Sequence, residues 1–288
     1  MNKKAIRKSF SLEKLFPFEI VYKDTKNPQN ELPNHFHEWY EIVYVYKGSG
    51  TFFIDQSIQY MSEGDLFILP GSIIHHATPD KDNPITSTAI FFDPLLISHR
   101  NFWEPFSLLQ IFEECVKSKS FKYSLEPQQR EVVMNYLEQL HNESIENKLG
   151  AAQAMIIQLQ SMLLYLSRTK LENTIAGNEG ENALPIWLKH VLNYIEGNFN
   201  KQSVDLYTLS TYAQISPEHL SRVFKQMTGM NISEYITTKK ILYAKEQLLH
   251  TNDTVETVAK ESGFNSMPHF HRTFKKFYGM TPANYRKH

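Results

Sequence analysis

Hydrophobic and polar residues alternate at two different spacings along this 288-residue chain, and the change of spacing divides it into segments. From Phe18 to Phe92, short runs rich in Ile, Val, Phe, Tyr and Thr are separated by turn residues such as Gly, Asp and Ser. Short strands at this regular spacing are typical of an antiparallel sandwich or barrel. The clearest predicted strands are Glu41–Tyr46, Thr51–Ile54, Gln59–Met61, Leu66–Leu69 and Thr88–Phe92.

After the predicted strands, apolar residues recur every three or four positions, which indicates amphipathic helices. We expect helices over Phe106–Val116, Gln128–Ser144 and Gly150–Arg168. In the third helix apolar residues cover well over half of the circumference, which is more than packing against one side of a barrel requires. This surplus fits either a helix that is buried on several sides or one that contacts a second copy of the chain.

A polar stretch then interrupts the helical pattern. Residues Glu172–Leu184 contain three Asn and two Gly with few apolar residues, and we interpret them as a flexible linker. An amphipathic pattern over Ile186–Phe199 predicts a helix that opens the next segment. The predicted domains are residues 1–100 (β-barrel), 101–171 (helical), 172–184 (linker) and 185–288 (all-α).

The C-terminal segment repeats itself at an interval of 50 residues. Each copy predicts a helix, a tight turn, a Ser suited to cap a second helix, and a Gly suited to end that helix. Two copies indicate a duplicated helix-turn-helix unit, because a solenoid needs about three or more. The matched positions are Ser216 and Ser266, Arg222 and Arg272, Phe224 and Phe274, Lys225 and Lys275, Gly229 and Gly279, and Tyr235 and Tyr285.

The second helix of each unit carries residue types that read DNA. A helix-turn-helix lays its second helix in the major groove, where an arginine can bind guanine through two hydrogen bonds, and lysines a turn later suit phosphates. The alternative is a helical bundle whose charged faces are only solvated. Two copies with matched caps, arginines and Phe-Lys pairs favour DNA. We predict DNA contacts from Glu218, His219, Ser221, Arg222, Lys225, Met267, Pro268, His269, Arg272 and Lys275.

The distribution of charge agrees with this prediction. The formal net charge is −1, yet Pro185–His288 carries 13 Lys and Arg against 8 Asp and Glu, so the remainder of the chain is acidic. A basic segment on an acidic body fits a DNA-binding domain that is joined to another module. The single cysteine, Cys115, excludes an intramolecular disulfide and a cysteine-cluster zinc site. No stretch approaches about 18 consecutive apolar residues, and we therefore expect a soluble, cytoplasmic protein.

Two short motifs in the predicted barrel contain histidine and glutamate, side chains that commonly bind metal ions. The first is His35-x-His37-x3-Glu41, and the second is Gly64-x5-Pro70 followed by His75. Alternate residues of a strand share a face, and imidazole with carboxylate suits Fe, Mn, Ni or Zn. A bound metal, a small-molecule pocket without metal, and structural histidines are three alternatives. We expect the second of these, a metal-free effector pocket formed by His35, His37, Trp39, Glu41 and His75.

Both regions resemble known families. The segments LSRVFKQMTGMNISEYI and GFNSMPHFHRTFKKFYGMTPANYR are similar to the paired signature of AraC/XylS transcription regulators. The barrel motifs resemble those of cupins, in which the corresponding His and Glu residues can converge on one metal ion. The resemblance implies an α+β chain with an antiparallel, cupin-like barrel and following helices, and then an all-α domain with two helix-turn-helix motifs. A helix over roughly Ile232–Leu249 is expected to join the two motifs.

The function implied by the resemblance is sequence-specific regulation of transcription, with activation controlled by a small molecule such as a sugar. The implied partners are promoter DNA, RNA polymerase and a second copy of the chain, with no cofactor, no catalytic residue and no membrane. The cupin pattern is incomplete, because Gln29 and Ser72 stand where that pattern has glycines. The alternative is a metal-dependent cupin enzyme that is tethered to DNA.

Overall fold

The computed structural model describes residues 6–7, 16–26, 35–98, 106–173, 184–201 and 204–287. Most of the predicted linker therefore lies outside the described residues. Among the described residues, the N-terminal part contains two β-sheets, three α-helices and a short 3-10 helix (Pro94–Leu96), and seven α-helices follow beyond residue 184.

Ten strands in the described residues form two five-stranded sheets. One sheet has the order β1-β3-β8-β5-β6, and the other has the order β10-β7-β4-β9-β2. Neighbouring strands are antiparallel except for β1 and β3, which are parallel. The strands are β1 (Ile6–Arg7), β2 (Phe18–Lys26), β3 (His35–Phe36), β4 (Tyr40–Lys47), β5 (Gly50–Ile54), β6 (Ser57–Met61), β7 (Asp65–Leu69), β8 (His75–Pro79), β9 (Ile85–Phe92) and β10 (Lys122–Ser124).

The two sheets pack face to face around a shared hydrophobic core, as the strand pattern predicts. Phe52 of the first sheet lies edge-on to Phe67 of the second, with ring centroids 5.1 Å apart. Every residue of β9 is buried, because helices cover the outer face of the second sheet. All five predicted strands are present and each is slightly longer than predicted. The short β3 and the polar β8 have no hydrophobic alternation that would have marked them individually as strands.

Three helices cover the second sheet: α1 (Gln110–Ser118), α2 (Pro127–Glu146) and α3 (Ala151–Asn173). Helices α2 and α3 pack against each other and bury Leu137 and Leu163 in the barrel core. Helix α1 begins later than its hydrophobic pattern suggests, and α3 continues into the first residues of the predicted linker. Cys115 is buried in α1, and its Sγ lies 3.0 Å from the Tyr123 hydroxyl oxygen.

The C-terminal helices form two helix-turn-helix units joined by one long helix. Helices α5 and α6 form the first unit, α8 and α9 form the second, and α7 connects them as predicted. The helices are α4 (Ile186–Asn198), α5 (Leu206–Ala213), α6 (Pro217–Thr228), α7 (Ile232–His250), α8 (Val255–Glu261), α9 (Met267–Tyr278) and α10 (Pro282–Tyr285). None of the helices that the structure describes combines the length and the apolar character needed to cross a bilayer.

The C-terminal helices pack directly on the first sheet of the barrel. Phe36 and Phe53 belong to the same hydrophobic cluster as the helical core. The Phe36 ring is stacked 5.6 Å from Phe277 of α9, and the Phe53 ring lies 6.3 Å from Tyr235 of α7. Because both phenylalanines are almost fully buried, this apolar contact holds the two parts of the molecule together.

Polar contacts surround the apolar contact between barrel and helices. The Tyr235 hydroxyl donates to the Asp55 carbonyl at 3.0 Å, and Lys239 Nζ lies 2.7 Å from Asp55 Oδ1. The Tyr285 hydroxyl donates to Glu38 Oε1 at 2.8 Å. Tyr235 and Tyr285 are matched positions of the internal repeat, so both copies of the duplicated unit hydrogen-bond to the barrel through the same tyrosine.

We predict that Gly263→Ala destabilises the C-terminal domain more than Gly279→Ala does. Both glycines have a left-handed backbone, with φ of +80° and +75°, which costs any L-residue with a side chain about 1–2 kcal/mol. A Cβ at Gly263 would also lie 2.3 Å from the Asn200 carbonyl oxygen, whereas a Cβ at Gly279 has no described atom within 4 Å. Urea unfolding of both variants measures the difference. Equal losses of unfolding free energy in the two variants would show that the backbone at Asn200 moves away from the new Cβ at no measurable cost.

Candidate functional site

Side-chain caps fix where α6 and α9 begin. Ser216 Oγ accepts a hydrogen bond from the backbone N–H of His219 at 3.2 Å, and Ser266 Oγ accepts one from His269 at 3.4 Å. A proline follows each serine at the start of the helix, where its missing N–H costs nothing. Because both helices start in the same way, the matched residues of the repeat occupy the same positions on their surfaces.

The residues predicted to contact DNA lie on the outer faces of these two helices. Phe224 and Phe274 are fully buried, and the polar residues on the opposite face point away from the core. Ser221 and Met267 are partly exposed, and the other predicted residues are exposed, namely Glu218, His219, Arg222, Lys225, Pro268, His269, Arg272 and Lys275. The outer faces are thus accessible, and contact with DNA itself remains a prediction.

Arg222 is held by a neighbour on its own helix. Its Nη2 donates to His219 Nδ1 at 3.2 Å, and the His219 ring lies 5.7 Å from the Trp187 ring of α4. This contact holds the guanidinium beside the first turn of the helix. The spacing of three residues between His219 and Arg222 is visible in the sequence, but the position of Trp187 depends on how α4 packs.

The barrel brings together the four titratable side chains of the two sequence motifs. His35 and His75 are directly paired across β3 and β8, while Glu41 comes from β4 of the other sheet. His37 follows β3 and lies on the same side as His35. All four are buried, and one nitrogen or oxygen from each lies within 4.8 Å of the others.

Two imidazoles converge on a single carboxylate oxygen. Glu41 Oε2 lies 3.0 Å from His37 Nε2 and 3.1 Å from His75 Nε2. The other ring nitrogens are engaged by backbone carbonyls: His37 Nδ1 lies 2.7 Å from the Trp39 oxygen and His75 Nδ1 lies 2.9 Å from the Ile73 oxygen. Because a carbonyl oxygen can only accept, each Nδ1 carries the hydrogen.

The burial of this cluster affects its ionisation. Burial alone would raise the pKa of the Glu41 carboxyl, but the adjacent His37 and His75 imidazoles hold that pKa well below its usual range. Burial lowers the pKa of His37 and outweighs the Glu41 carboxylate, which raises it.

A small cavity of about 40 Å³ lies beside the cluster, between the two sheets. Its polar end includes His35, Glu41 and His75, and Lys26 and Ser87 also line it. No sequence motif marked Lys26 or Ser87, because neither belongs to the His and Glu pattern.

Trp39 was predicted to belong to the effector pocket, but other aromatic residues line the cavity. Trp39 does not line it: the indole packs in the barrel core, and the Trp39 carbonyl is what contacts the cluster through His37. Phe52 lines the cavity, whereas the adjacent Phe53 points to the opposite face and contacts Tyr235. Which of these two phenylalanines faces the cavity depends on the register of the strand, and the local sequence pattern does not determine that register.

A barrel with a buried polar site and two capped helix-turn-helix units together define a class of protein, in which a ligand-binding module is joined to a DNA-binding module. Comparison with known families agrees with this description. The model of an AraC-like ligand binding domain matches residues 17–164, which is more than half of the chain, and the model of a helix-turn-helix domain matches residues 209–288. The chain belongs to the AraC family of transcription regulators.

Individual relatives are more distant. An uncharacterized HTH-type transcriptional regulator of Staphylococcus aureus (strain MSSA476) is 27% identical over 245 residues, which are 85% of this chain but only 31% of that protein. The chain thus spans less than a third of the length of such relatives. The HTH-type transcriptional activator RhaR of Enterobacter sp. (strain 638) is 24% identical over 90% of this chain and 88% of its own length. The DNA-binding domain of AdpA, solved in complex with a target DNA, is 28% identical over 34% of this chain and 87% of that chain, with a TM-score of 0.33.

Proposed function

We propose that this protein is a sequence-specific activator of transcription whose DNA binding responds to a ligand in the barrel. The observation that carries the proposal is that Arg222 and Arg272 are exposed at equivalent positions of two capped helices with buried Phe224 and Phe274 beneath them. Membership of the AraC family supports regulation rather than catalysis. A relative of nearly the same length is named as an activator, which supports the direction of control.

The two helices differ in what they offer to a base. In the first helix, Arg222 can donate to both acceptors of a guanine, and Glu218 and Ser221 add further hydrogen-bonding groups. In the second helix, Met267 offers only apolar contact and Pro268 has no backbone N–H, so contact with a thymine methyl group suits this surface. We infer that the second unit contributes base specificity mainly through Arg272.

We predict that Arg222→Ala relaxes sequence preference. Loss of a bidentate guanine contact removes about 1–3 kcal/mol of discrimination, so a site altered at that base pair should bind the variant about as well as the selected site. The matched control is Lys225→Ala, one turn further along the same helix, which should weaken all duplexes alike and reduce the salt dependence by about one phosphate contact.

Duplexes selected from a random library by the full-length protein provide the binding sites, and fluorescence anisotropy at several salt concentrations provides the affinities. Arg272→Ala and Lys275→Ala repeat the comparison in the second unit. The base-reading assignment is wrong if Arg222→Ala weakens selected and altered duplexes by the same factor.

The contact between barrel and helices provides a route from ligand to DNA. His35 lines the cavity and His37 belongs to the cluster beside it, while Phe36 between them contacts Phe277 on α9, which carries the second set of predicted DNA contacts. A displacement of this segment by a ligand therefore moves Phe36 and changes its contact with α9. A ligand acts in this way only if it binds one arrangement of the two domains more tightly than another.

We predict that Tyr285→Phe loosens the contact between α10 and the barrel while leaving the DNA-reading faces unchanged. The variant loses the hydrogen bond to Glu38 but keeps the aromatic ring that packs against Phe274. Loss of a hydrogen bond to a charged group, worth about 1.5–3 kcal/mol, should speed local amide exchange roughly tenfold or more.

Hydrogen exchange of the full-length protein, resolved by peptide, measures this effect in α9 and α10. Tyr207→Phe is the control, because Tyr207 is 74% exposed. Unchanged exchange in α9 and α10 of Tyr285→Phe would show that the tyrosine does not hold the domains together.

A second copy of the chain is the proposed partner of the α2–α3 hairpin. Ile145, Leu149 and Ile157 are exposed apolar side chains on or beside these two helices. A homodimer through this surface would present two DNA-binding domains to one promoter, where RNA polymerase is the expected further partner. As a DNA-binding protein it would act in the cytoplasm.

We predict that Ile157→Lys weakens dimer formation, because a charge would enter an interface that is apolar at its centre. Sedimentation velocity over a range of concentrations measures the effect. Ile186→Lys on α4 is the matched control, since Ile186 is 75% exposed but lies outside the hairpin. A wild-type protein that stays monomeric at all concentrations, or equal dimerisation of Ile157→Lys and wild type, would contradict the assignment.

A further inference from the structure

We propose that Trp187 on α4 is a specificity-determining residue for the first DNA-reading helix, and that it acts through His219 by fixing the position of Arg222. Trp187 is a positioning residue and does not itself contact a base. Because α4 belongs to neither helix-turn-helix unit, the internal repeat gives no indication of this role. The inference rests on the function proposed above, in which Arg222 reads a guanine.

The hydrogen bond between Arg222 and His219 has a defined direction. Arg222 Nη2 lies 3.2 Å from His219 Nδ1. A guanidinium nitrogen can only donate, so Nδ1 accepts, and the hydrogen of the neutral imidazole is on Nε2. The exposed His219 ring therefore keeps an N–H that can donate to DNA, in agreement with the contact predicted for this residue.

This hydrogen bond leaves Arg222 able to bind guanine through two N–H groups. Nη2 carries two hydrogens, one on the edge it shares with Nε and one on the edge it shares with Nη1. Whichever hydrogen faces His219, the other edge keeps a pair of parallel N–H groups. Such a pair matches the O6 and N7 acceptors of guanine. His219 thus restricts the orientation of the guanidinium and leaves one of its bidentate edges available.

Trp187 restricts His219 in turn. A contact between two exposed side chains of one helix, three residues apart, is weak by itself. The Trp187 ring lies 5.7 Å from the His219 ring, at an interplanar angle of 51°. Because the indole occupies the space on one side of the imidazole, His219 cannot turn toward α4. Arg222 is therefore ordered before DNA binds, which reduces the entropy lost on binding.

Helix α4 is a firm support for the indole. Trp187 packs against the core of the C-terminal domain. At the other end of α4, Glu196 Oε2 lies 2.8 Å from Nζ of Lys239 on α7. Between these two residues the helix buries an apolar face consisting of Leu188, Val191, Leu192 and Ile195. The indole is thus carried by a helix that is anchored along its whole length.

The second unit places an aromatic ring beside the matched histidine by a different route. His269 is the repeat partner of His219, and the Phe264 ring lies 5.6 Å from the His269 ring at an interplanar angle of 59°. Phe264 is buried in the turn between α8 and α9. Its own repeat partner is Gln214, which has no ring, and Trp187 takes that place in the first unit. The recurrence of this ring on two different elements supports a role tied to the histidine.

We predict that Trp187→Ala lowers discrimination between the selected duplex and a duplex altered at the guanine that Arg222 reads. An ordered Arg222 favours only the duplex whose guanine it binds, so loss of this order should reduce the ratio of the two affinities by about threefold or more. Trp187→Phe keeps an aromatic ring, as Phe264 does in the second unit, and should keep most of the ratio. Fluorescence anisotropy of the full-length variants measures both affinities.

Tyr194→Ala is the matched control, because it also removes a partly buried aromatic ring from α4. The Tyr194 ring contacts Tyr212, with centroids 4.5 Å apart, and lies two turns from Trp187. This variant should keep the wild-type ratio. In the double variant, Trp187→Ala should add nothing to the effect of Arg222→Ala, since the tryptophan acts through that arginine.

A second measurement needs no DNA. Nitrogen relaxation at Arg222 Nε, measured by NMR on the full-length protein, reports the motion of the guanidinium. We expect greater motion in Trp187→Ala and in His219→Leu, and wild-type motion in Tyr194→Ala. Circular dichroism shows which variants are folded. If Trp187→Ala does not fold, His219→Leu decides the question by this measurement, because His219 is exposed.

The outcomes separate this inference from the proposed function. Wild-type discrimination by folded Trp187→Ala, an equal loss in Tyr194→Ala, or a further loss when Arg222 is already absent overturns the role of Trp187 and leaves the proposed function in place. Wild-type motion of Arg222 in His219→Leu overturns it as well. If the wild-type protein selects no DNA sequence, or if Arg222→Ala keeps the wild-type preference, base reading by Arg222 fails, and the inference fails with it.

Discussion

Side chains of a β-strand point alternately to opposite faces, and around β3 this constraint connects the two halves of the molecule. His35 and His37 contribute to the buried cluster in the barrel, and Phe36 between them packs on α9. Because His35, Phe36 and His37 are consecutive residues, a displacement of either histidine also displaces Phe36. The same alternation in β5 directs Phe52 to the cavity and Phe53 to Tyr235 of α7.

The C-terminal domain was predictable because its signals are local. Ser216 and Ser266 cap helices within three residues of themselves, and Gly229 and Gly279 end those helices with a left-handed backbone. Each of these capping signals is weak by itself. Because the same signals recur 50 residues apart, together they predict two equivalent helix-turn-helix units. The four members of the barrel cluster were also identifiable, since the sequence motifs contain them.

The contacts between the domains were not predictable in this way. Tyr285 and Glu38 are 247 positions apart, and neither residue has an unusual sequence environment. Trp39 was assigned to the pocket for its aromatic ring, yet the structure uses its carbonyl, a group that every residue possesses. Lys26 reaches the cavity from the end of β2. Contacts of this kind depend on how complete sheets and helices pack, and therefore carry no signature in a short segment.

The two matched tyrosines connect both helix-turn-helix units to the barrel. Each unit has a tyrosine at the same position of the repeat, and the two reach different parts of the barrel, Tyr235 at Asp55 and Tyr285 at Glu38. Glu38 adjoins His37, whereas Asp55 follows β5, whose Ile54 pairs with His75. Tyr285 therefore contacts the residue next to a member of the buried cluster, and Tyr235 contacts the residue that follows the strand paired with His75. Because packed interfaces switch between discrete arrangements rather than deforming continuously, a small displacement at the cluster would act on the two units together.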